Sequence, residues 1–265
     1  MSEYPKDRYD ISDLRQIVAL LRSENGCPWD RVQTHQSIRR DFIEETYEAV
    51  EAIDKQDPVL LQEELGDVLL QVVFHAQIEE EAGRFSLDDV VSDICEKMVV
   101  RHPHVFGELT VDSTGEVLKN WEAIKNRLKG TASYTETLEL VPKVYPALIR
   151  VQKLTKRAAH AGFCYPDTAS ARADLQRELE ELDEAIAEGD RAHMEEEMGD
   201  LLFSCANLCR HLGLDGEFSL TQSCEKFITR FAQVEKLAAE QGKQLDQLDA
   251  AQLMALWQQA KCMLK

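Results

Sequence analysis

The chain has 265 residues, 44% of them hydrophobic, with only 12 Gly and 7 Pro, so it can bury one large core or two modest ones and is too apolar for wholesale disorder. Its 49 acidic and 30 basic residues leave a net charge of −19, which argues against polymeric nucleic acid as a partner. Seven cysteines (Cys27, Cys95, Cys164, Cys205, Cys209, Cys224 and Cys262) form no CxxC pair, the N-terminus is charged, and no apolar run approaches membrane-spanning length; a cytoplasmic protein that makes no use of a membrane is expected. Apolar spacing of the helical period predicts helices near 11–22, 37–54, 58–82, 86–101 and 114–127, then near 138–160, 170–188, 190–212, 218–240 and 247–263. No segment alternates as a strand does. The expected fold class is all-α, with two tandem domains resembling four-helix bundles.

The division into two rests on an internal repeat. Glu44-Glu45-Thr46-Tyr47-Glu48 returns as Glu180-Glu181-Leu182-Asp183-Glu184, an EExxE in each case. Glu63-Glu64-Leu65-Gly66-Asp67 returns as Glu196-Glu197-Met198-Gly199-Asp200. Phe85-Ser86-Leu87 matches Phe218-Ser219-Leu220, Glu96-Lys97 with Arg101 matches Glu225-Lys226 with Arg230, and Trp121 with Lys125 matches Trp257 with Lys261. The five offsets, in that order, are 136, 133, 133, 129 and 136 residues. Between the copies, Gly130, Ser133, Pro142 and Pro146 interrupt any periodic run and mark a linker. The expected domains are residues 1–130 and 131–265.

The acids carry the chemistry. In the helix of the first copy, Glu64, Asp67 and Gln71 fall in one sector, surrounded by Leu65, Val68, Leu69, Leu70, Val72, Val73 and Phe74. Glu197, Asp200 and Ser204 repeat the stripe. Two carboxylates in apolar company cost several kcal/mol each when ionised and unpaired. Antiparallel pairing with the EExxE helix would add Glu45 and Glu48, and four converging acids require raised pKa values or a multivalent cation among them. An all-carboxylate set suits Mg²⁺, Mn²⁺ or Ca²⁺, and the absence of Glu-x-x-His argues against a di-iron bundle.

Metal-bound polyphosphate also needs cations on its free oxygens. Lys97 with Arg101, and Lys226 with Arg230, offer a point charge and a fork one turn apart; Trp121 with Lys125, and Trp257 with Lys261, offer an indole and an ammonium; Arg177 precedes Glu181 by one turn. A single acidic run or Lys–Arg pair is usually a solvated helix face, but here they recur in the same order. There is no GxxxxGK[ST], GxGxxG or GxSxG motif.

EExxE followed by ExxD resembles the MazG family of all-alpha nucleotide pyrophosphohydrolases. Asn25-Gly26-Cys27-Pro28-Trp29-Asp30, Arg101-His102-Pro103-His104-Val105-Phe106 and Lys156-Arg157-Ala158-Ala159-His160-Ala161-Gly162-Phe163 resemble its tandem-domain form in particular. The resemblance implies Mg²⁺-dependent hydrolysis of NTPs and dNTPs to the monophosphate and pyrophosphate, with loose base preference, by a homodimer. The family's metal-binding acids map onto Glu181, Glu184, Glu197 and Asp200, with Glu45, Glu48, Glu64 and Asp67 as first-half equivalents. It favours the C-terminal half as the main active site. One departure, Cys164-Tyr165 after Gly162-Phe163, falls where base preference could be altered. Competing readings are a narrow pyrophosphohydrolase for dUTP or phosphoribosyl-ATP, and a non-enzymatic Mg²⁺-binding helical adaptor.

Overall fold

The computed structural model describes residues 4–117, 120, 121, 124 and 133–264, and among these no strand occurs. The chain separates into two compact units, 1–129 and 130–265.

The first unit is built on Ile11–Arg22, Arg39–Asp54, Pro58–Glu81 and Leu87–Arg101. Asp10 caps the first helix with a reciprocal box to Asp13, and Asp57 caps the third with Pro58 at its first position. Val18, Ile38, Val73, Phe74, Ala76 and Leu87 make the core between them. Arg22 is buried and held by both oxygens of Glu81, at 2.9 and 2.8 Å. Two one-turn helices, Pro28–Val32 and Pro103–Phe106, each start on a proline and are too short for a periodicity to announce. Where described, the residues of 114–127 are helical; Lys125 lies outside the described residues.

The second unit contains Tyr134–Glu139, Ala147–His160, Thr168–Glu188, Arg191–His211, Gly216–Glu240 and Ala250–Met263. The single helix expected near 138–160 is in fact two. Pro142 and Pro146 lack the N–H a helix interior needs and push the residues before them out of the helical region, so the chain breaks there and restarts at Ala147. Val234, Leu237, Ala238, Leu256 and Ala260 pack the last two helices together, each fully buried Leu contributing roughly 1.5–3 kcal/mol.

The dominant element of each unit is a tight antiparallel hairpin: Arg39–Asp54 against Pro58–Glu81, and Thr168–Glu188 against Arg191–His211. Each turns through one left-handed residue, Gln56 or Gly189, followed at once by an aspartate N-cap, Asp57 or Asp190. These hairpins carry the acids.

Candidate active site

In the second hairpin, carboxylate oxygens of Glu178, Glu197 and Asp200 lie within 4.8 Å of one another. Glu178 and Glu197 are largely buried, and Glu197 Oε2 is buried with no hydrogen-bond partner. Burial pushes the Glu178 carboxyl above its ordinary range; Arg177 opposes that shift and Glu181 adds to it. Arg177 Nη2 donates to Glu178 at 2.7 Å and to Asp174, and its Nε sits 3.4 Å from Glu181. Asp174 is itself buried and accepts 2.8 Å from Ser204 Oγ. Burial works against the ionised form of Asp174, but hydrogen bonds from Tyr165, Ser204 and Arg177 hold its carboxyl below the usual range. On the other side of the cluster, His193 lies 3.2 Å from Glu197 and 3.0 Å from Glu188, which raise its pKa.

In the first hairpin the group is Glu45, Glu48 and Glu64, again within 4.8 Å. Burial raises the Glu45 and Glu64 carboxyls, and the neighbouring acids, Asp67 among them, raise both further. Among the described residues, none of the three makes an ion pair. Both groups consist of hard oxygen donors, which fits an oxygen-loving divalent cation, and the orphaned Glu197 oxygen fits the same occupant.

Beside the second group lies a cavity of about 480 Å³ between Ala147–His160, the Gly162–Tyr165 loop and Arg191–His211. Phe163, Cys164, Tyr165, Asp174, Asn207 and Arg210 are among its lining residues. The size is that of a small-molecule site, largely apolar with a few convergent polar groups.

The MazG nucleotide pyrophosphohydrolase domain matches this chain twice, over residues 33–106 and 167–235. The chain belongs to the MazG family. It is 44% identical over 251 residues to the nucleoside triphosphate pyrophosphohydrolase/pyrophosphatase MazG of Thermotoga maritima, covering 95% of both chains. It is 42% identical over 257 residues to the nucleoside triphosphate pyrophosphohydrolase of Escherichia coli K12, covering 95% of this chain and 97% of that one. The Mycobacterium tuberculosis protein of the same name is 39% identical over 174 residues, 62% of this chain and 52% of that one.

Both MazG matches contain an acid group, and the two hairpins superpose in sequence at a constant offset of 133 residues: Glu45 with Glu178, Glu48 with Glu181, Gln56 with Gly189, Glu64 with Glu197 and Asp67 with Asp200. The structure therefore brings Glu178, rather than Glu184, to Glu197 and Asp200. Glu184 is exposed; its counterpart is Glu51, a surface residue paired with Lys55 at 2.7 Å. Matching the two EExxE strings places the second copy one helical turn too late. The unbroken 133 offset, already present in the ExxD and Phe-Ser-Leu repeats, is the signal that identifies Glu178. Asp174 repeats Asp41 at the same offset, whereas Tyr165 and His193, opposite Val32 and Leu60, had no repeated partner of like chemistry to mark them.

The basic and aromatic residues of the MazG pattern are arranged differently from the acids. Arg101 lies over the Trp121 ring at 5.2 Å, and Trp257 packs against Phe227 at 5.2 Å within the last helix pair. Lys97 and Lys226 are exposed and Lys261 is half-buried. The Nε atoms of Arg101 and Arg230, equivalent in the repeat, are both buried without a hydrogen-bond partner. Arg177 is held by three acids of its own helix.

Proposed function

We infer that this chain hydrolyses nucleoside triphosphates to the monophosphate and pyrophosphate, with Glu178, Glu181, Glu197 and Asp200 holding Mg²⁺ in the second half and Glu45, Glu48, Glu64 and Asp67 holding it in the first. The observation that carries the reading is the recurrence, at one offset, of a partly buried carboxylate triad in a chain of the MazG family. Magnesium held by these carboxylates would neutralise charge on the triphosphate and lower the pKa of a water. Glu181, half-exposed and outside the tight triad, keeps one carboxylate oxygen free of the metal to accept the proton of the attacking water. The attack falls on the α-phosphorus and releases pyrophosphate, while Lys226, Arg230 and Lys261 meet the free phosphate oxygens. The cavity lined by Phe163, Tyr165 and Asp174 receives the nucleoside, and its mixed apolar walls suit a broad range of bases.

The working unit is a homodimer. Apolar side chains exposed at equivalent places in both hairpins support this: Leu65 with Met198, Leu69 with Leu202, and Ile53 with Ile186. Such duplicated apolar faces on helices are normally covered. The free thiols fit a reducing cytoplasm, and among the described residues no helix is long and apolar enough to cross a membrane.

The test is pyrophosphate release from the eight common NTPs and dNTPs by the purified chain, with and without Mg²⁺. Metal-dependent release from most of them is the expected result. Release from dUTP alone would replace the broad reading by a narrow one, and no release from any would leave a metal-binding helical adaptor.

A further inference from the structure

The surroundings of the two acid groups differ at His193, whose counterpart is Leu60, and at a position that sets a guanidinium against the second group. Where the first hairpin has Glu44, the second has Arg177. Glu44 turns away to the surface and pairs with Arg40 at 2.7 Å, leaving Glu45, Glu48 and Glu64 to converge without a cation. Arg177 instead reaches back along its helix to Asp174, Glu178 and Glu181. The composition of the two groups follows that difference. Glu48 belongs to the first triad, whereas its counterpart Glu181, tied to Arg177, is outside the second, where Asp200 completes the set.

We propose that Arg177 is a built-in counter-ion that competes with the divalent cation for Glu178 and Glu181, so that the two halves of the chain load metal at different concentrations, the first half first. The inference rests on the metal reading above. A guanidinium and a divalent cation both neutralise these oxygens, and an oxygen lone pair donated to Arg177 is withheld from a metal. Metal entry into the second group therefore has to displace Arg177 from Glu178 and Glu181, whereas entry into the first relieves only repulsion between acids. Asp174 remains for the displaced guanidinium, because Ser204 and Tyr165 keep that carboxylate ionised and in place. The second half then fills with metal only above a threshold that the first half does not share.

Binding of Mn²⁺ alone to the full-length chain, followed by the electron paramagnetic resonance of the free ion, tests this. Two classes of site are expected, the tighter removed by Glu64→Gln and the weaker by Glu197→Gln. Arg177→Gln should tighten the weaker class roughly threefold to tenfold, the range of a partly exposed ion pair, and leave the other class unchanged. Glu44→Arg, a change at an exposed side chain, should weaken the tighter class by a similar factor, and it carries the test alone if Arg177→Gln does not fold. Unchanged or weakened Mn²⁺ binding in folded Arg177→Gln, or an unaffected first class in Glu44→Arg, overturns the inference. If neither Glu64→Gln nor Glu197→Gln alters Mn²⁺ binding, the metal reading itself fails, and the competition with it.

Discussion

Gln56 and Gly189 stand at the same point of the two hairpins, each the left-handed residue ahead of an aspartate cap, with φ of 54° and 73°. A side chain in that conformation costs about 1–2 kcal/mol, which glycine avoids. A Cβ at Gly189 would meet open space, so the backbone angle alone sets the cost there. Gln56→Gly is therefore expected to raise the unfolding free energy by about 1 kcal/mol, and Gly189→Ala to lower it by about as much. Urea unfolding of both variants measures this. A Gln56→Gly chain no more stable than the parent would show that the turn carries no strain.

The same equivalence decides which acids matter. Glu178→Gln and Glu197→Gln should each lower kcat by at least roughly tenfold to a hundredfold, the scale for disturbing a metal site. Glu184→Gln should leave kcat within about twofold, as expected of an exposed side chain. Pyrophosphate release under saturating Mg²⁺ and triphosphate separates the two cases. Equal losses at Glu178 and Glu184 would contradict the 133-residue register.

Much of this was legible beforehand, and the misses have physical causes. Helical periodicity places most long helices within a few residues of where they stand. The convergence of Glu45, Glu48 and Glu64 followed from one apolar helix carrying an acidic stripe and a neighbour carrying another. Glu178 is missed because an i, i+3 acidic pattern reads the same after a slip of one turn, and matching the EExxE strings sets aside the 133 offset of the ExxD and Phe-Ser-Leu repeats. The helix expected over 138–160 runs across Pro142 and Pro146, the very residues that mark the linker, and the chain breaks where they stand. The exposure of Leu65 and Leu69, each about half open to solvent, is also unexpected, since a helix apolar nearly all round reads as buried on all sides.

Glu79 gives the first unit a specific acid sensitivity. Arg84 pairs with it through two nitrogens and His35 lies at 2.5 Å, which lowers its carboxyl to about 2 despite the opposing effect of burial. A depressed carboxylate contributes stability above its unfolded pKa, roughly 4.3, and loses it as pH falls through the folded value. The melting temperature should therefore decline between about pH 4.3 and about 2, and Glu79→Gln should flatten that part of the profile. Calorimetric scans across this range test it, and parallel slopes for parent and variant would remove Glu79 as the cause.

Glu64 should behave in the opposite sense. Burial and four neighbouring acids disfavour its ionised form, so the charge opposes folding when no metal is bound. Glu64→Gln keeps the shape and removes the charge. It should raise the melting temperature in excess chelator and shrink the increase produced by added Mg²⁺, because a ligand binding only the folded state stabilises it by mass action. A variant that melts lower than the parent in chelator would mean that Glu64 is held by favourable contacts instead of suffering repulsion.

The repeated apolar positions lead to a prediction about assembly. Met198 and Leu202 lie one turn apart on Arg191–His211, on either side of the Asp200 carboxylate in sequence, and both are exposed, as are Leu65 and Leu69. If a second copy covers this face, a carboxylate placed there is desolvated against apolar neighbours at a cost of several kcal/mol. Each 1.4 kcal/mol is a tenfold loss in affinity, so Leu202→Glu should weaken the dimer roughly a hundredfold or more while the hairpin itself stays folded. Sedimentation equilibrium of parent and variant gives the dissociation constants directly, and circular dichroism checks helicity. A parent chain that sediments as a monomer at every accessible concentration, or a Leu202→Glu dimer of unchanged strength, would mean that this face is not where the copies meet.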